Sequence, residues 1–370
     1  MRAVVMRGGE FYLEDIPEPR PGPGQLLVEP VAVGICGSDL SAWRHTADFL
    51  GAHRAAGAEG GMFDPDRGVV LGHEFTSRVL EAGPGAEGYA AGDLLVTLPW
   101  AIDRAGVIRT VGYSEEYPGG LAERVVVQAG GHLKIPVGVD ARLAAVTEPL
   151  ATGVNGVLRS RITRQAGAVV TGCGPVGLGA VIELAYRGVS PVVASDPSPA
   201  RRQLATAFGA DAVVDPTAED PVERWRKLAP GGQDLFVFEA SGARGILHTL
   251  LSTVPAHTPL YVTGAGMVDE AIQPVLGVMK NASISFVGGP GKGEASYTAL
   301  ARTFSHLTAG RFDPAALVTG YAGPPAVREV FDALRPRDPR AIAHVKILIR
   351  HDLRTPGIAV PGTKPLDPDS

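Results

Sequence analysis

The 370-residue sequence predicts an α/β protein in which a doubly wound parallel sheet is joined to a second domain made of β-strands. The first observation is a glycine-rich turn, GCGPVG at residues 172–177, between two apolar runs. The second is an alternation of helical and strand patterns that begins near Glu148 and is typical of parallel sheets. The third is a series of short apolar runs separated by Gly and Pro turns before about residue 134, which indicates many short strands.

The first part of the chain has the pattern of a compact β domain. Residues 2–6 and 25–33 have strand-like composition, and a Pro- and Gly-rich turn at 17–24 separates them. A Gly-Asp turn at 92–93 and a further apolar run at 121–127 continue the pattern. We therefore predict that residues 1–149 form one β domain.

The glycine-rich turn lies in the context that a dinucleotide-binding fingerprint requires, with a strand before it, a helix after it and a second strand that ends on Asp196. Gly172 permits the tight turn, Gly174 lets the backbone approach a pyrophosphate, and Gly177 lets helix and strand pack closely. The helix that starts at Pro175-Val176 directs backbone N–H groups and its dipole at the pyrophosphate. We predict a dinucleotide-binding domain over residues 150–289.

Further elements follow the fingerprint. Helices are predicted at 199–208 and 221–228, and strands at 212–214, 235–239, 260–263 and 283–288. Two more helices at 297–307 and 325–334 and a strand at 345–349 are expected to return to the β domain, which residues 290–350 would complete. The tail, residues 351–370, is rich in Pro and Gly and is predicted to be disordered.

The composition excludes several classes of function. The net charge is −5 and no block of basic residues suggests nucleic acid binding. No apolar run reaches membrane-spanning length, and the first residues, MRAVVMRGG, lack the apolar core of a signal peptide, so a cytoplasmic protein is expected. Two cysteines, Cys36 and Cys173, exclude a disulfide scaffold.

The acid that follows the second strand of the fingerprint bears on cofactor choice. Asp196 accepts hydrogen bonds from a ribose 2′-hydroxyl and repels a 2′-phosphate, which favours NAD over NADP. Arg201 and Arg202 complicate this inference, because paired arginines can bind phosphate.

Three short segments contain residues that suit a metal site: CGSD at 36–39, GHE at 72–74 and EPL at 148–150. Cys36 and His73 are suitable zinc ligands if a carboxylate supplies the third, which leaves one position open. Zinc in such a site is a Lewis acid that lowers the pKa of an alcohol hydroxyl, so that hydride can leave at neutral pH. Taken singly, a cysteine is more often a small buried apolar residue, and a His-Glu pair is more often a surface pair.

In this order CGSD, GHE, GGLAE, EPL and GCGPVG resemble the zinc-dependent medium-chain dehydrogenase/reductase family, the alcohol dehydrogenase superfamily, and most of all its sorbitol, threonine and glucose dehydrogenase branch. The resemblance extends from Arg2 to about Arg350. It implies a GroES-like β domain built from both chain ends, with a Rossmann domain between. It also implies zinc ligation by Cys36, His73 and Glu74, with Glu148 either a ligand or the partner of a zinc-bound water.

The resemblance implies further site residues. Asp39 would fix the orientation of a ligand, and Ser38 would take the proton of the substrate hydroxyl into a relay. Ser241-Gly242 and Thr263-Gly264 would lie at the nicotinamide ribose and ring. A basic residue at the position of Arg201 commonly accompanies NAD in this family, which leaves the NAD prediction in place. Cys173 is predicted to be a small filler inside the glycine turn.

The sequence departs from the family pattern in three places. Residues 100–119, where many relatives hold a second zinc with four cysteines, contain no Cys, so we predict one catalytic zinc and no structural zinc. Ser41 stands where relatives often have a relay histidine, so protons would leave through water or a group such as His45. The segment 46–66 is longer than usual, and we interpret it either as part of the substrate pocket or as a solvated surface loop.

The motifs together predict a zinc- and NAD-dependent dehydrogenase that oxidises a secondary alcohol or polyol, or reduces the ketone. A zinc-free reductase of the quinone reductase type and a non-catalytic nucleotide-binding protein are the alternatives. A homodimer or homotetramer is expected, because an apolar edge strand at 283–287 can pair across a two-fold axis.

Overall fold

The computed structural model describes residues 1–57, 62–267, 269–288, 294–335, 342–354 and 356–361. The strands in these ranges are β1 (Arg2–Arg7), β2 (Glu10–Asp15), β3 (Gln25–Gly34), β4 (Glu74–Ala82), β5 (Leu94–Val96), β6 (Trp100–Ile102), β7 (Ile108–Thr110), β8 (Val125–Gln128), β9 (Leu133–Lys134), β10 (Gly167–Thr171), β11 (Val192–Ser195), β12 (Ala212–Val214), β13 (Leu235–Glu239), β14 (Pro259–Val262), β15 (Ser283–Phe286), β16 (Val318–Ala322), β17 (Lys346–Ile349) and β18 (Ile358–Ala359).

The α-helices in the same ranges are α1 (Gly37–Arg44), α2 (Thr46–Ala55), α3 (Thr147–Ser160), α4 (Pro175–Tyr186), α5 (Pro199–Ala207), α6 (Pro221–Leu228), α7 (Ile246–Thr253), α8 (Pro274–Lys280), α9 (Glu294–Thr308), α10 (Pro314–Leu317) and α11 (Val327–Leu334). Two short 3-10 helices lie at Leu143–Val146 and Pro324–Ala326. No helix in the described part of the chain combines the length and the apolar composition needed to cross a membrane.

The chain forms two compact units. The first unit is built from Met1–Glu148, Pro314–Arg335 and the described residues from Lys346 onward, and the second from Pro149–Asp313 together with residues 342–345. The predicted return to the β domain near residue 290 is therefore too early, because α9 belongs to the second unit.

The helix α9 belongs to the second unit because it supplies the partners of a buried acid on α4. Glu183 is 0% exposed, accepts a hydrogen bond from His306 Nε2 at 2.6 Å and pairs with Arg302 Nε at 3.2 Å. Arg187 Nε completes this group at 2.8 Å. A buried carboxylate is costly unless it is paired, so these contacts tie α9 to α4.

The main sheet of the first unit is mostly antiparallel and uses both ends of the chain. Its path is β18-β16-β17-β3-β4-β5-β9, and β8 also pairs with β3. The central strand β3 is antiparallel to β4, to β8 and to β17, whereas β16 and β17 are parallel. The long strand β3 and its neighbour β4 position the residues of the candidate site.

Two segments of the first unit differ from the predictions. The segment 46–66 is not simply a solvated loop, because it begins with α2, whose Phe49 and Leu50 are buried; residues 58–61 lie outside the described residues. The tail that was predicted to be disordered contains β18, which pairs antiparallel with β16. A Cβ at Gly320 would lie 2.8 Å from Ile358 Cγ2, so this glycine lets the tail pack closely. Residues 355 and 362–370 lie outside the described residues.

The sheet of the second unit is parallel throughout and has the order β12-β11-β10-β13-β14-β15. This is the 3-2-1-4-5-6 order of the Rossmann fold. Every residue of β10 and β11 is buried, as expected for strands with helices on both faces. The strand order reverses direction between β10 and β13, and the glycine-rich turn follows β10.

Candidate active site

Two neighbouring strands bring the predicted metal ligands together. Cys36 lies two residues after the end of β3, and its backbone N–H donates to Asp39 Oδ2 at 2.9 Å, which fixes the first turn of α1. Glu74 opens β4 directly opposite Gly34, so His73-Glu74 lies beside Cys36. One ligand atom from each of Cys36, His73 and Glu74 lies within 4.8 Å of the others.

The histidine of this group is held by a buried acid. His73 Nδ1 lies 3.2 Å from Asp39 Oδ1, and Asp39 is 0% exposed. Burial raises the pKa of Asp39, but the charge of His73 and the hydrogen bonds from His73, Cys36 and Tyr113 together lower it by more. The net shift is downward, so the carboxylate stays ionised. With Nδ1 directed at Asp39, Nε2 of the ring remains for a metal, an arrangement typical of metal-binding histidines.

Glu148 faces the same group from the first turn of α3 but does not belong to the cluster within 4.8 Å. Burial raises the pKa of its carboxyl to about 8, and the charge of Glu74 acts in the same direction. Burial and Glu74 also raise the pKa of the Cys36 thiol. The charge of Glu74 therefore opposes the ionisation of Glu148 and Cys36, and a divalent cation would relieve this repulsion. A thiolate, an imidazole and a carboxylate are ligands that suit zinc, so the donor set fits the predicted ion.

A buried lysine, which the sequence analysis missed, completes the surroundings of Glu74. Lys346 Nζ donates to Glu74 Oε2 at 2.5 Å and to the carbonyl oxygen of Ile35 at 2.8 Å. Burial lowers the pKa of Lys346, but the charges of Glu74, Cys36 and Glu148 and the hydrogen bond to Glu74 together raise it by more, so the net shift is upward. Gly34 makes room for this pair, since a Cβ there would lie 2.6 Å from Glu74 Oε2. A lysine in the otherwise apolar strand KILI was the sequence signal that could have identified it.

A tyrosine from the cysteine-free segment also reaches the site. Tyr113 Oη lies 2.8 Å from Ser38 Oγ and 3.0 Å from Asp39 Oδ1. The hydroxyl of Ser41, the residue at the expected relay position, donates instead to the carbonyl oxygen of Gly37 within α1. Nothing in the sequence near residue 113 indicated a role for the tyrosine.

The glycine-rich turn has the geometry that the fingerprint predicts. Gly172 has φ +88°, and a Cβ on it would lie 2.8 Å from the backbone nitrogen of Ser241. A Cβ on Gly177 would lie 1.7 Å from the carbonyl oxygen of Gly172, so no other residue fits there. Gly174 caps α4, and a Cβ on it would have only Arg201 Nη1 nearby, at 4.0 Å, which leaves its surface open.

Asp196 is almost fully buried beside this turn. Its Oδ2 accepts from the backbone N–H of Cys173 at 2.9 Å and its Oδ1 from that of Ser198 at 2.8 Å. Arg201 Nη1 lies 3.8 Å from Oδ2, and Arg201 Nε has no hydrogen-bond partner among the described residues. Arg202, in contrast, is engaged, because its Nη1 donates to the carbonyl oxygen of Asp196.

An acid that the sequence analysis also missed joins the two turns that were predicted to hold the nicotinamide. Glu239 ends β13, and its Oε1 accepts from the backbone N–H groups of Ser241 at 2.6 Å and Gly242 at 3.0 Å. Its carbonyl oxygen accepts from the N–H groups of Thr263 and Gly264. Burial raises the pKa of Glu239, although the hydrogen bonds from Ser241 and Gly242 oppose the shift. An acid at the end of an apolar strand was the signal for it.

Comparison with known proteins identifies the family. A model described as the alcohol dehydrogenase GroES-like domain matches residues 22–137, and one described as zinc-binding dehydrogenase matches residues 175–305. The L-threonine 3-dehydrogenase of Pyrococcus abyssi is 32% identical over 267 residues, which cover 69% of this chain and 72% of that protein. The chain belongs to the zinc-dependent medium-chain dehydrogenase/reductase family.

Solved structures of other dehydrogenases agree with this family. The structure of 2R,3R-butanediol dehydrogenase from Bacillus subtilis matches with a TM-score of 0.74 and 26% identity, over 94% of this chain and 99% of that one. A Sinorhizobium meliloti 1021 protein described as a zinc-binding dehydrogenase and bound to NADP matches with a TM-score of 0.75 and 25% identity, over 94% of this chain and 98% of that one.

Family membership confirms three predictions for this medium-chain dehydrogenase. The fold class, the assignment to the zinc-dependent family and the assignment as an alcohol dehydrogenase-type oxidoreductase all agree with the matched models and relatives. The two alternatives, a zinc-free quinone reductase type and a non-catalytic protein, are not favoured.

Proposed function

We propose that this medium-chain dehydrogenase oxidises a secondary alcohol or polyol with NAD, using one zinc ion held by Cys36, His73 and Glu74. The observation that carries the proposal is the convergence of these three side chains within 4.8 Å. When bound, zinc would supply Lewis acidity toward an alcohol oxygen, and a bound nicotinamide would supply a hydride acceptor. Ser38 accepts the hydrogen bond of the substrate hydroxyl, and Asp39 keeps His73 oriented.

Glu148 has a role in this proposal that differs from that of Glu74. It lies outside the cluster of three donors, and with a pKa raised to about 8 its buried carboxyl carries a proton at neutral pH in the metal-free protein. We assign Glu74 as the permanent ligand and Glu148 as the group that binds a water or substrate oxygen beside it.

The proposed preference for NAD rests on the charges around Asp196. The carboxylate would lie beside an added 2′-phosphate and repel it. Arg202 is unavailable to bind such a phosphate, because it is engaged with two backbone carbonyl oxygens and lies 3.3 Å from Asp215. Arg201 is the only one of the two arginines that faces Gly174. Because the Sinorhizobium meliloti protein was solved with NADP, the two cofactors have to be compared directly.

The cysteine-free segment supports a single zinc ion per chain. Its hairpin of β6 and β7 is held by Asp103, whose Oδ1 accepts from the backbone N–H groups of Ala105 and Val107. Asp103 Oδ2 pairs with Arg109 Nη2 at 2.6 Å. These contacts close the hairpin through hydrogen bonds and an ion pair between groups of the protein itself.

The proposed substrate class follows from the compounds for which the relatives are named. L-threonine and 2R,3R-butanediol each carry a secondary alcohol next to a carbon with a second polar group. We therefore propose that this enzyme acts on a secondary alcohol with a neighbouring hydroxyl or amino group.

A homodimer is proposed from the outer strand of the parallel sheet. Within the described residues β15 pairs only with β14, and Phe286 on β15 is 73% exposed. The neighbouring helix α8 exposes Val278 and Met279 to 71% and 77%. An exposed edge strand with an apolar border is typical of strand pairing across a two-fold axis. Sedimentation analysis tests this, and Phe286→Lys is expected to yield monomers.

The main experiment combines metal analysis with a substrate panel. We expect about one zinc per chain, from the ligand count of a single catalytic site, and NADH formation with vicinal diols or β-hydroxy amino acids. Cys36→Ser is expected to lose zinc and activity, whereas Cys173→Ser, the matched control, retains its zinc. Two tightly held zinc ions per chain, or full activity in Cys36→Ser, would contradict the proposal.

A further inference from the structure

The hydroxyl of Tyr113 lies between Ser38 and Asp39 and contacts both. A tyrosine hydroxyl has one proton and can also accept. Both carboxylate oxygens of Asp39 are hydrogen-bond acceptors, Oδ2 for the backbone N–H of Cys36 and Oδ1 beside His73 Nδ1, so at 3.0 Å Tyr113 Oη donates its proton to Asp39 Oδ1. The contact with Ser38 Oγ at 2.8 Å then requires that Ser38 donate its own proton to Tyr113 Oη.

This arrangement gives Ser38 a single orientation. With its proton directed at Tyr113, the remaining lone pairs of Ser38 Oγ face away from the tyrosine and act as acceptors. An acceptor is the form that a substrate alcohol needs, because the alcohol itself is the donor. The tyrosine ring cannot turn aside easily, since it packs against His73 and Phe49 at centroid distances of 5.1 and 5.2 Å and is only 6% exposed.

Within the described part of the chain, these hydrogen bonds end at a buried carboxylate. That carboxylate, Asp39, is 0% exposed and also accepts from Cys36 N at 2.9 Å and from His73 Nδ1 at 3.2 Å. A proton that entered these hydrogen bonds would have no exit through Asp39. The contact of Tyr113 with Ser38 therefore orients the serine and does not carry protons away.

We propose that Tyr113 is a positioning residue that holds Ser38 as a hydrogen-bond acceptor for the substrate alcohol. The inference rests on the proposed function, because it assigns Tyr113 a task in the same reaction. It also gives the cysteine-free segment a role, since the loop that follows the β6–β7 hairpin delivers the tyrosine to the site.

The test is a double-mutant cycle that removes one hydroxyl at a time. Tyr113→Phe keeps the ring and its packing, and is expected to lower kcat/KM for alcohol oxidation about tenfold, the effect of one buried hydrogen bond. Ser38→Ala is expected to lower it about 100-fold. In the Ser38→Ala background, Tyr113→Phe should add less than a factor of about two, since no serine hydroxyl remains to be oriented. Tyr117→Phe is the control, because Tyr117 Oη contacts Ile102 O at 3.1 Å, away from Ser38.

Zinc content provides a readout that does not depend on turnover. Tyr113→Phe is expected to hold as much zinc as the unmodified enzyme, because Asp39 and His73 keep their direct contact. A tenfold loss that persists in the Ser38→Ala background, an unchanged kcat/KM, or loss of zinc in Tyr113→Phe would each overturn the inference and leave the proposed function intact. An unmodified protein that holds zinc but turns over none of the alcohols would overturn the proposed function and this inference with it.

Discussion

The buried ion pair between Lys346 and Glu74 allows a quantitative prediction about the metal site. Their side chains are 4% and 1% exposed, and 2.5 Å separates Lys346 Nζ from Glu74 Oε2. Lys346→Met removes the cation and leaves the carboxylate buried without its partner. Breaking such a pair costs about 3–5 kcal/mol. At about 2–4 °C per kcal/mol, the thermal unfolding midpoint of the metal-free protein should fall by about 6–20 °C.

The zinc-loaded variant is expected to lose less stability than the metal-free variant. Lysine and zinc compete for the negative charge of Glu74, so without Lys346 the carboxylate is stabilised by the metal alone. Each 1.4 kcal/mol recovered in this way corresponds to about tenfold tighter zinc binding. We therefore expect Lys346→Met to bind zinc at least about tenfold more tightly than the unmodified protein, although it is less stable without zinc.

Two measurements check this prediction. Thermal unfolding with and without a chelator tests the loss of stability, and chelator competition tests the tighter zinc binding. Arg109→Met is the matched control, because it breaks the pair with Asp103 in the same unit, away from the metal ligands. It should lower the unfolding midpoint without changing zinc affinity. Weaker zinc binding in Lys346→Met than in the unmodified protein would refute the reasoning that lysine and metal compete for Glu74.

Three further predictions concern other acidic residues. Glu74→Ala should lower zinc occupancy more than Glu148→Ala, which should keep zinc and lower kcat; metal analysis and steady-state kinetics would reveal reversed roles. NAD should give a higher kcat/KM than NADP, and Asp196→Ala should narrow the difference; equal turnover with both cofactors in the unmodified enzyme would contradict this. Burial raises the pKa of Glu183, but hydrogen bonds from His306 and two arginines outweigh burial, so its pKa in the folded protein is lowered. At pH values above the ordinary pKa range of glutamate the carboxylate therefore stabilises the fold, and this contribution is lost as pH falls through the lowered pKa. Glu183→Gln should lower the thermal unfolding midpoint at pH 7. Below about pH 4 the midpoints of the variant and the unmodified protein should differ less.

Local patterns in the sequence were sufficient for most of the second unit. The helix Pro221–Leu228 has the predicted bounds because Asp220 caps it, with Oδ1 accepting from Val222 N at 2.7 Å, and because Pro221 fits its first turn. The strand Leu235–Glu239 also has the predicted bounds, since its apolar run ends at a charged residue. Signals of this kind lie within a few residues of the element that they define.

The unit boundary and the tail were predicted less well because their partners are distant in sequence. The side chain that ties α9 to the second unit, His306, contacts Glu183, which is 123 residues away. The strand β18 exists through its pairing with β16, although the tail around it is rich in Pro and Gly. A composition typical of disorder was outweighed by hydrogen bonds to an available edge.

The sequence by itself determined the family, the Rossmann order of elements and the types of side chain that suit a metal and a dinucleotide. Short motifs carry this information because a ligand triad or a glycine turn needs particular residues at particular spacings. Only the tertiary structure decided which groups surround those motifs: Lys346 beside Glu74, and Tyr113 beside Ser38. These partners are separated by 272 and 75 residues along the chain, and their contacts depend on how the strands and loops pack rather than on any local pattern.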